Sequence, residues 1–201
     1  MTMIELAGWP QERFSTVLCD PPWPFTTYSD KGKDRSPDKH YHTMRIGEIA
    51  GLPVPDIAGD DCVLFMWAPG TWIANGVALW IMEWAWGFKP KTFGFVWTKE
   101  KPSGSEHLGC GYWTRDNPEF CLLGTKGHPK RLSAAVRKWI HSPVREHSRK
   151  PDDIYERVEA LSEGPYVELF SRSTREGWTV WGDQAGMFDT QESECTTLTL
   201  T

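Results

Sequence analysis

The residues best suited to chemistry are Asp20-Pro21-Pro22-Trp23, which follow an apolar run at residues 15–19 that predicts a buried strand. Two consecutive prolines fix φ and remove two backbone donors, so the segment after Asp20 is expected to be extended, stiff and rich in hydrogen-bond acceptors. A carboxylate, rigid carbonyls and an indole ring are thus held together at the carboxyl end of a strand. This combination suits an aromatic amine, because Asp20 and a proline carbonyl can accept its two N–H groups while Trp23 stacks on the base.

The chemistry that this arrangement offers is activation of the amine as a nucleophile. Accepting both hydrogen bonds draws the nitrogen lone pair out of conjugation with the ring, so no strongly basic side chain is required. An ordinary turn after a strand is the alternative interpretation of Asp-Pro-Pro. The tryptophan at the end of the strand favours a catalytic site.

The elements that must position this motif alternate between strands and helices. Further apolar runs predict strands at residues 62–67, 93–97, 119–123, 166–170 and 178–181. Helical spacing predicts a helix over residues 71–86 with its tryptophans in the core, another from Pro151 to before Gly164, and a short one capped at Thr43. The polar residues 24–42, which include Tyr41, form either a lid that closes on substrate or a merely disordered loop.

Such alternation implies an α/β fold, with a mainly parallel sheet, helices on both faces and ligands beyond the carboxyl ends of the strands. Two of these ends are polar and distinctive, residues 20–23 and residues 172–175, so a site spanning both would join the first and last thirds of the chain. A third end carries Trp97 and Lys99, which are expected to face a ligand. The chain has no G-x-G-x-x-G and no P-loop motif, which weakens dinucleotide and nucleotide-triphosphate interpretations.

Length and cysteine content predict a single domain in a reducing compartment. A chain of 201 residues can bury a core without disulfide cross-links. We expect one domain over residues 1–188 and a frayed tail at 189–201. Five cysteines, an odd number without a C-x-x-C pair, argue against a disulfide framework and against a metal site. Without a leader-like N-terminus or an apolar run of membrane length, the protein is expected to be soluble and cytoplasmic, with no membrane partner.

Charge is distributed unevenly along the chain. The net charge is −5, but residues 126–150 hold eight Lys or Arg and one acid, which gives +7 there and −12 elsewhere. This basic run predicts a wall that contacts phosphates, with Lys130, Arg131, Arg137 and Lys138 as its principal contacts. A solvated charged face is the alternative.

The chain resembles the MT-A70 family, the D-P-P-W adenine-N6 methyltransferases that use S-adenosylmethionine. The resemblance covers residues 16–187 and rests on a series of motifs in a fixed order. They are D-P-P-W at 20–23, Y-H-T-M at 41–44, L-F-M-W at 64–67, V-W-T-K at 96–99, E-F-C-L-L-G-T-K-G at 119–127, S-R-K-P-D-D-I-Y at 148–155, V-E-L-F-S-R at 167–172, G-W at 177–178 and W-G-D-Q at 181–184. The resemblance implies a Rossmann-like methyltransferase sheet in which the catalytic motif precedes the cofactor-binding half.

The resemblance also implies roles for individual residues. Asp20 and Pro21 would hold the target amine, Pro22 and Trp23 would shape the pocket, and Tyr41 would belong to the lid. Lys150 would bind the cofactor's carboxylate, while Asp20 and Glu168 would meet its positive charge. The residues expected near the ribose and adenine are Arg172, Thr174, Arg175, Asp183 and Gln184.

The expected function is therefore transfer of a methyl group from S-adenosylmethionine to the N6 amine of adenine in DNA. RNA is the alternative substrate, because the chemistry at the amine is the same on either polymer. DNA is favoured because the chain lacks a Cys/His zinc-finger module and looks like the compact stand-alone members of the family. A non-catalytic nucleic-acid-binding subunit of the same fold is the alternative from another class, although the intact Asp20 and Lys150 favour an enzyme. A homodimer is compatible with either interpretation.

Overall fold

A seven-stranded sheet organises the part of the chain that the computed structural model describes, which is residues 6–24, 43–109, 113–144 and 149–189. In spatial order the strands are β5-β3-β4-β2-β1-β6-β7. Their bounds are Phe14–Cys19 for β1, Ala58–Ala68 for β2, Lys89–Glu100 for β3, Glu119–Lys126 for β4, Trp139–Pro143 for β5, Tyr166–Leu169 for β6 and Trp178–Trp181 for β7.

Only β4 among these strands runs against the others. It pairs antiparallel with β2 and β3, whereas the remaining pairs are parallel. The carboxyl ends of six strands and the amino end of β4 therefore meet at one edge of the sheet, called the carboxyl edge below. The expected mainly parallel α/β sheet is confirmed, and Asp20, which directly follows β1, lies at this edge.

Helices cover both faces of the sheet. Helix α5 (Asp153–Leu161) packs Ile154 and Val158 on one face, in a core cluster with Phe65 and Phe95. The other face carries the second core cluster, which includes Ile49 and Trp86. The helices on this face are α1 (Ile46–Ala50), α2 (Val54–Ile57), α3 (Gly70–Ala74), α4 (Val77–Trp80) and a π-helical turn (Ile81–Ala85). Among the described residues, no helix is long and apolar enough to cross a membrane.

The helix expected over residues 71–86 is interrupted. Gly76 has a φ of +81°, a left-handed conformation that ends α3 and lets α4 start in a new direction. Of its tryptophans, Trp86 is fully buried, but Trp80 is 51% and Trp84 is 76% exposed, so the prediction that they belong to the core is wrong for these two. The short helix α1 also begins later than expected, since its cap is Arg45, not Thr43.

Strand β5 was not expected, because it lies inside the basic run. Its sequence Trp-Ile-His-Ser-Pro has only one fully buried residue, Ile140, and ends in a proline, so it lacks the pattern of a core strand. The strand forms the outer edge of the sheet. It carries the chain from the amino-terminal edge back to the carboxyl edge.

Candidate active site

The Asp-Pro-Pro-Trp segment lies at the carboxyl edge and forms a γ-turn at Pro22, in place of the extended form expected from the sequence. The Pro21 carbonyl accepts a bond from the Trp23 N–H (2.8 Å), and the Pro22 carbonyl accepts one from the Met44 N–H (2.8 Å). Since each carbonyl oxygen has two lone pairs, both can accept a further bond. The segment thus presents fixed acceptors beside the Asp20 carboxylate.

The ring of Trp23 is held in place and largely covered. Its indole N–H donates to the Trp67 carbonyl (2.9 Å), the ring stacks on Trp72 at a centroid distance of 6.3 Å, and only 6% of the residue is exposed. These contacts fix the segment that follows Asp20. Stacking of Trp23 on a base stays a prediction.

A chain of alternating charges links three strand ends at this edge. Lys150 Nζ lies 2.6 Å from Asp20 Oδ2 and 2.9 Å from Glu119 Oε2, and Lys99 pairs with the other oxygen of Glu119. Each ammonium also lies over an indole ring, Lys150 at 5.4 Å from the Trp67 centroid and Lys99 at 5.3 Å from that of Trp97. Aromatic faces and carboxylates together hold both cations.

The pKa shifts follow from this arrangement. Burial raises the pKa of the Asp20 carboxyl above its ordinary value, the Lys150 ammonium acts against this rise, and Glu119 adds to it. Burial would also raise the pKa of Glu119, but Lys150 and Lys99 outweigh it and lower that pKa to about 2. Burial alone would lower the pKa of Lys150, whereas its two carboxylate partners raise it. Lys150 therefore stays charged, and the ionised form of Asp20 depends on it.

Glu119 is a residue that the sequence prediction missed. It is the first residue of β4, and because β4 is antiparallel, its amino end lies at the carboxyl edge next to Asp20. A carboxylate at the first position of a strand has no sequence pattern that marks it as part of a site. Trp97, by contrast, is only 2% exposed and donates its N–H to the Ser142 carbonyl (3.3 Å), so the structure gives it a packing position beneath Lys99 and corrects the expectation that it faces a ligand.

A second cluster of polar side chains lies at the end of β6. Glu168 Oε2 accepts hydrogen bonds from Tyr155 (3.0 Å) and from Ser171 (2.8 Å). The guanidinium of Arg175 lies over the Tyr155 ring at 4.0 Å from its centroid. Tyr155, which faces this cluster from α5, thus links the carboxylate to the arginine.

Glu168→Gln is expected to make the protein's stability less dependent on pH. Burial raises the pKa of Glu168 to about 7 from 4.5, so between these values the native state holds a proton that the unfolded chain releases. Wild-type stability therefore falls as the pH rises through this window, by roughly 1.4 kcal/mol per pH unit at most, and a neutral amide removes the fall. Urea unfolding at pH 5 and pH 8 measures the difference, with the exposed Glu163→Gln as control. An unchanged pH slope in Glu168→Gln would show that Glu168 does not titrate in this window.

Beside this cluster lies a cleft of about 290 Å³. The residues that line it are Arg149, Asp152, Tyr155, Ser173, Thr174, Arg175, Phe188 and Asp189. Asp189 accepts bonds from the backbone N–H (2.9 Å) and the hydroxyl (2.7 Å) of Thr174, so it is tied into the fold although it was expected to begin the frayed tail. Residues 190–201 of that tail lie outside the described residues.

A comparison with known protein families shows to which family the chain belongs. The family model described as MT-A70 matches residues 14–184, from the start of β1 to beyond β7, and so includes every residue of the charge chain. The chain belongs to the MT-A70 family. Membership confirms the resemblance seen in the sequence, the assignment as an adenine-N6 methyltransferase and S-adenosylmethionine as the cofactor.

Curated proteins similar to this MT-A70 chain fall into two groups by length. The Type II methyltransferase M.MunI from Mycoplasma sp is 31% identical over 194 residues, covering 86% of this chain and 78% of its own. The putative N(6)-adenosine-methyltransferase MT-A70-like of Medicago truncatula is 32% identical, and the human N(6)-adenosine-methyltransferase catalytic subunit METTL3 is 30% identical. Each covers 86% of this chain, but the chain spans only 26% and 28% of those two proteins.

The groups around the cleft fit S-adenosylmethionine in this MT-A70 protein. The cofactor carries a carboxylate, an ammonium, a sulfonium, ribose hydroxyls and an adenine ring. The cleft offers Arg149 and Arg175 as cations, Asp152 and Asp189 as acceptors, and the Phe188 ring as an apolar surface. Donors, acceptors and rings thus match the chemistry of the cofactor.

Of the seven predicted cofactor residues, Thr174 and Arg175 line this cleft, and Glu168 bonds to Tyr155, which also lines it. Lys150 pairs with Asp20, and the charge of Arg172 acts to lower the pKa of Asp20. Asp183 and Gln184 follow β7 at the same edge in a turn closed by a bond from the Met187 N–H to the Gln184 carbonyl (3.0 Å). The sequence prediction missed Arg149, Asp152, Tyr155, Ser173, Phe188 and Asp189 as lining residues, although the first three belong to the S-R-K-P-D-D-I-Y motif.

The basic run does not form a continuous wall beside the site. Lys130 and Arg131 precede Leu132, whose N–H donates to the Leu161 carbonyl (3.0 Å) at the end of α5, which is the edge opposite Asp20. The expectation that they border the cleft is therefore wrong, because the unexpected β5 separates them from Lys150. Arg137 and Lys138 are exposed and directly precede β5, while Tyr41 lies outside the described residues.

Proposed function

We propose that this protein transfers a methyl group from S-adenosylmethionine to the N6 amine of adenine in DNA. The observation that best supports this proposal is the Asp20 carboxylate, which is 31% exposed at the carboxyl edge and lies 2.6 Å from the Lys150 ammonium. Two fixed proline carbonyls lie beside it. This is the set of acceptors that an exocyclic amine needs.

In the proposed reaction Asp20 accepts one N–H of the amine and the Pro21 carbonyl accepts the other. Preorganised acceptors stabilise the positive charge that develops on the nitrogen as the N–C bond forms. S-adenosylmethionine, when bound, would supply the electrophilic methyl group, its sulfonium becoming a neutral thioether as the S–C bond breaks. The proton that the methylated amine loses would pass by way of Asp20 to solvent. Lys150, held by Glu119, keeps Asp20 ionised and oriented.

Two of the proposed cofactor residues, Thr174 and Arg175, line the cleft beside Glu168. The cationic groups of Lys150 and Arg172 lie near Asp20, and Glu168 faces the region where positive charge must be accommodated. Thr174, Arg175, Asp183 and Gln184 are proposed to contact the ribose and adenine. Lys150 already shares its ammonium between two carboxylates, so its proposed contact with the cofactor's carboxylate would use its remaining N–H.

DNA is proposed as the polymer on the basis of the similarity to the Type II methyltransferase M.MunI from Mycoplasma sp. This chain matches most of the Mycoplasma Type II methyltransferase but only about a quarter of the proteins named for N(6)-adenosine, a ribonucleoside. Identity does not separate the two groups, since it is 30% to 32% for both. RNA is therefore the second candidate.

Mass spectrometry of nucleosides from an expressing host tests the proposal. The host should lack its own adenine-N6 methylation, and its DNA and RNA should be digested separately with and without expression of the protein. We expect N6-methyl-2′-deoxyadenosine in DNA from cells with the wild-type protein and none with Asp20→Ala. A mark confined to RNA would replace DNA by RNA in the proposal, and a mark produced equally by Asp20→Ala would remove Asp20 from the reaction.

A further inference from the structure

The edge strand β5 exposes two aromatic side chains. Ile140 is buried with Ile154 and Val158 of α5, so alternation along the strand turns Trp139 and His141 to the other face of the sheet. There Trp139 is 53% exposed, and its ring stacks with that of His141 at 5.7 Å between centroids and 30° between planes. Because both rings are exposed, this stacked pair is not part of the hydrophobic core.

More aromatic surface adjoins this pair. Phe93 is 37% exposed on β3 and packs against Phe120 of β4 at a centroid distance of 5.4 Å. The helices on this face pack over residues of β1, β2, β4 and β6, and their core cluster contains no residue of β5. We call Phe93, Trp139 and His141, with the adjacent Arg137, the aromatic edge surface.

The charge around this surface favours a polyanion. Residues 126–143 contain five Lys or Arg and no Asp or Glu, in a chain whose net charge is −5. Arg137 and Lys138 directly precede Trp139, and both are exposed. The acidic neighbour is Glu100, whose carboxylate lies 3.8 Å from His141.

The register of the sheet relates this surface to the active site. Trp97 of β3 pairs with both Glu119 and Ile140, so Trp139 and His141 lie level with Glu119 along the strand direction. Four strand spacings separate β5 from β1, which is about 19 Å at roughly 4.8 Å each. At about 3.4 Å per stacked nucleotide, some six nucleotides would span the distance to Asp20.

We propose that the aromatic edge surface binds an unpaired stretch of the nucleic-acid substrate by stacking bases on Trp139 and His141 while Arg137 contacts a phosphate. Exposed aromatic rings beside cations are the combination with which proteins bind single strands without reading sequence. The inference rests on the proposed function, since it assigns this surface to the same polymer that enters the active site.

A second copy of the chain is the other occupant to consider. Edge strands associate when their backbone groups are unpaired, but Arg157 Nη1 donates to the carbonyls of Arg137 (2.7 Å) and Trp139 (2.9 Å). These bonds occupy two of the acceptors that strand addition at this end of β5 would use. Together with the positive charge, they favour a nucleic-acid strand.

Binding of two labelled 20-mers to the full chain, measured by fluorescence anisotropy, tests the proposal. One is oligothymidine and the other is an abasic strand with the same number of phosphates. Trp139→Ala should weaken oligothymidine binding by about five- to a hundred-fold and abasic binding by less than twofold, because only the first strand has bases to stack. Arg137→Ala should weaken both alike and reduce the salt slope by about 0.7, the value for one phosphate contact to a single strand.

Control variants separate stacking from general damage. Trp84→Ala removes a tryptophan that is 76% exposed on the π-helical turn and should leave both affinities unchanged. Trp139→Phe should retain most of the affinity and Trp139→Leu should lose it, which decides the question even where Trp139→Ala fails to fold. S-adenosylhomocysteine binding, followed by calorimetry, should be the same in all of them.

The proposal is overturned by wild-type oligothymidine affinity in Trp139→Leu, by equal losses on the abasic strand, or by a change in sedimenting mass without a change in binding. The last result would assign the surface to a second copy. Because these readouts need no methyl transfer, loss of stacking in a protein that methylates no adenine would support the surface and reject the proposed reaction. Wild-type methylation together with unchanged oligothymidine binding in the Trp139 variants would support the proposed reaction and reject the surface.

Discussion

Asp20→Ala is expected to lower the turnover number by roughly 10²- to 10³-fold, the usual effect of removing one preorganised group that stabilises charge in the transition state. Asp20→Asn should be nearly as damaging, because its amide places a donor where an acceptor is needed. The fold and cofactor affinity should remain close to wild type, since Lys150 keeps Glu119 as a partner at 2.9 Å. Steady-state kinetics on an adenine-containing oligonucleotide and calorimetry with S-adenosylhomocysteine measure the two effects.

Glu163→Gln, at an exposed carboxylate away from the carboxyl edge, is the matched control for this variant. It should leave both turnover and cofactor affinity unchanged. Turnover by Asp20→Ala above about a tenth of wild type, well short of the usual loss, would contradict the mechanism.

Lys150→Met is expected to impair catalysis and stability together. It removes the cation between two carboxylates, so the pKa of Asp20 should rise and the acid limb of the turnover profile should move to higher pH. Breaking a fully buried ion pair typically costs about 3–5 kcal/mol, because the remaining charge is left without a partner. A smaller loss is expected here, since the Lys150 and Asp20 side chains are 15% and 31% exposed. A pH–rate profile and urea unfolding, each compared with wild type, measure these changes.

Lys99→Met provides the control, because Lys99 pairs with the same Glu119 but not with Asp20. It should lose some stability and leave the acid limb in place. The double variant Asp20→Asn with Lys150→Met should recover part of the lost stability, since it removes the carboxylate left without a partner while Glu119 keeps Lys99. An acid limb in Lys150→Met at the wild-type pH, combined with a weaker affinity for S-adenosylhomocysteine, would instead assign Lys150 to the cofactor alone.

The sequence predicted the sheet and the motif at its edge because the relevant signals are local. Residues 15–19 and 62–67 are apolar runs of strand length, and two prolines with a tryptophan after Asp20 are distinctive in any context. Strands at 166–170 and 178–181 were found for the same reason. At the carboxyl ends, which carry the site, the observed bounds of these four strands agree with the predictions to within one residue.

The parts that the sequence did not predict depend on strand direction and on pairing at a distance. Glu119 enters the site only because β4 is antiparallel, a property that no residue within β4 encodes. The basic run appeared continuous because β5 has a single buried residue, and its pairing with β3 moves Lys130 to the opposite edge. Tyr155 belongs to an ordinary helix by its spacing, and its bond to Glu168 becomes visible only when α5 is packed against β6.

Methyl transfer in vitro with a deuterated methyl donor tests the central claim most directly. Purified protein is incubated with S-adenosylmethionine carrying a CD₃ group and with DNA and RNA oligonucleotides of the same sequence, and the digested nucleosides are analysed by mass spectrometry. The account predicts CD₃ on N6 of deoxyadenosine with the wild-type protein and none with Asp20→Asn. Label on another base, or equal label on adenine from Asp20→Asn, would contradict it.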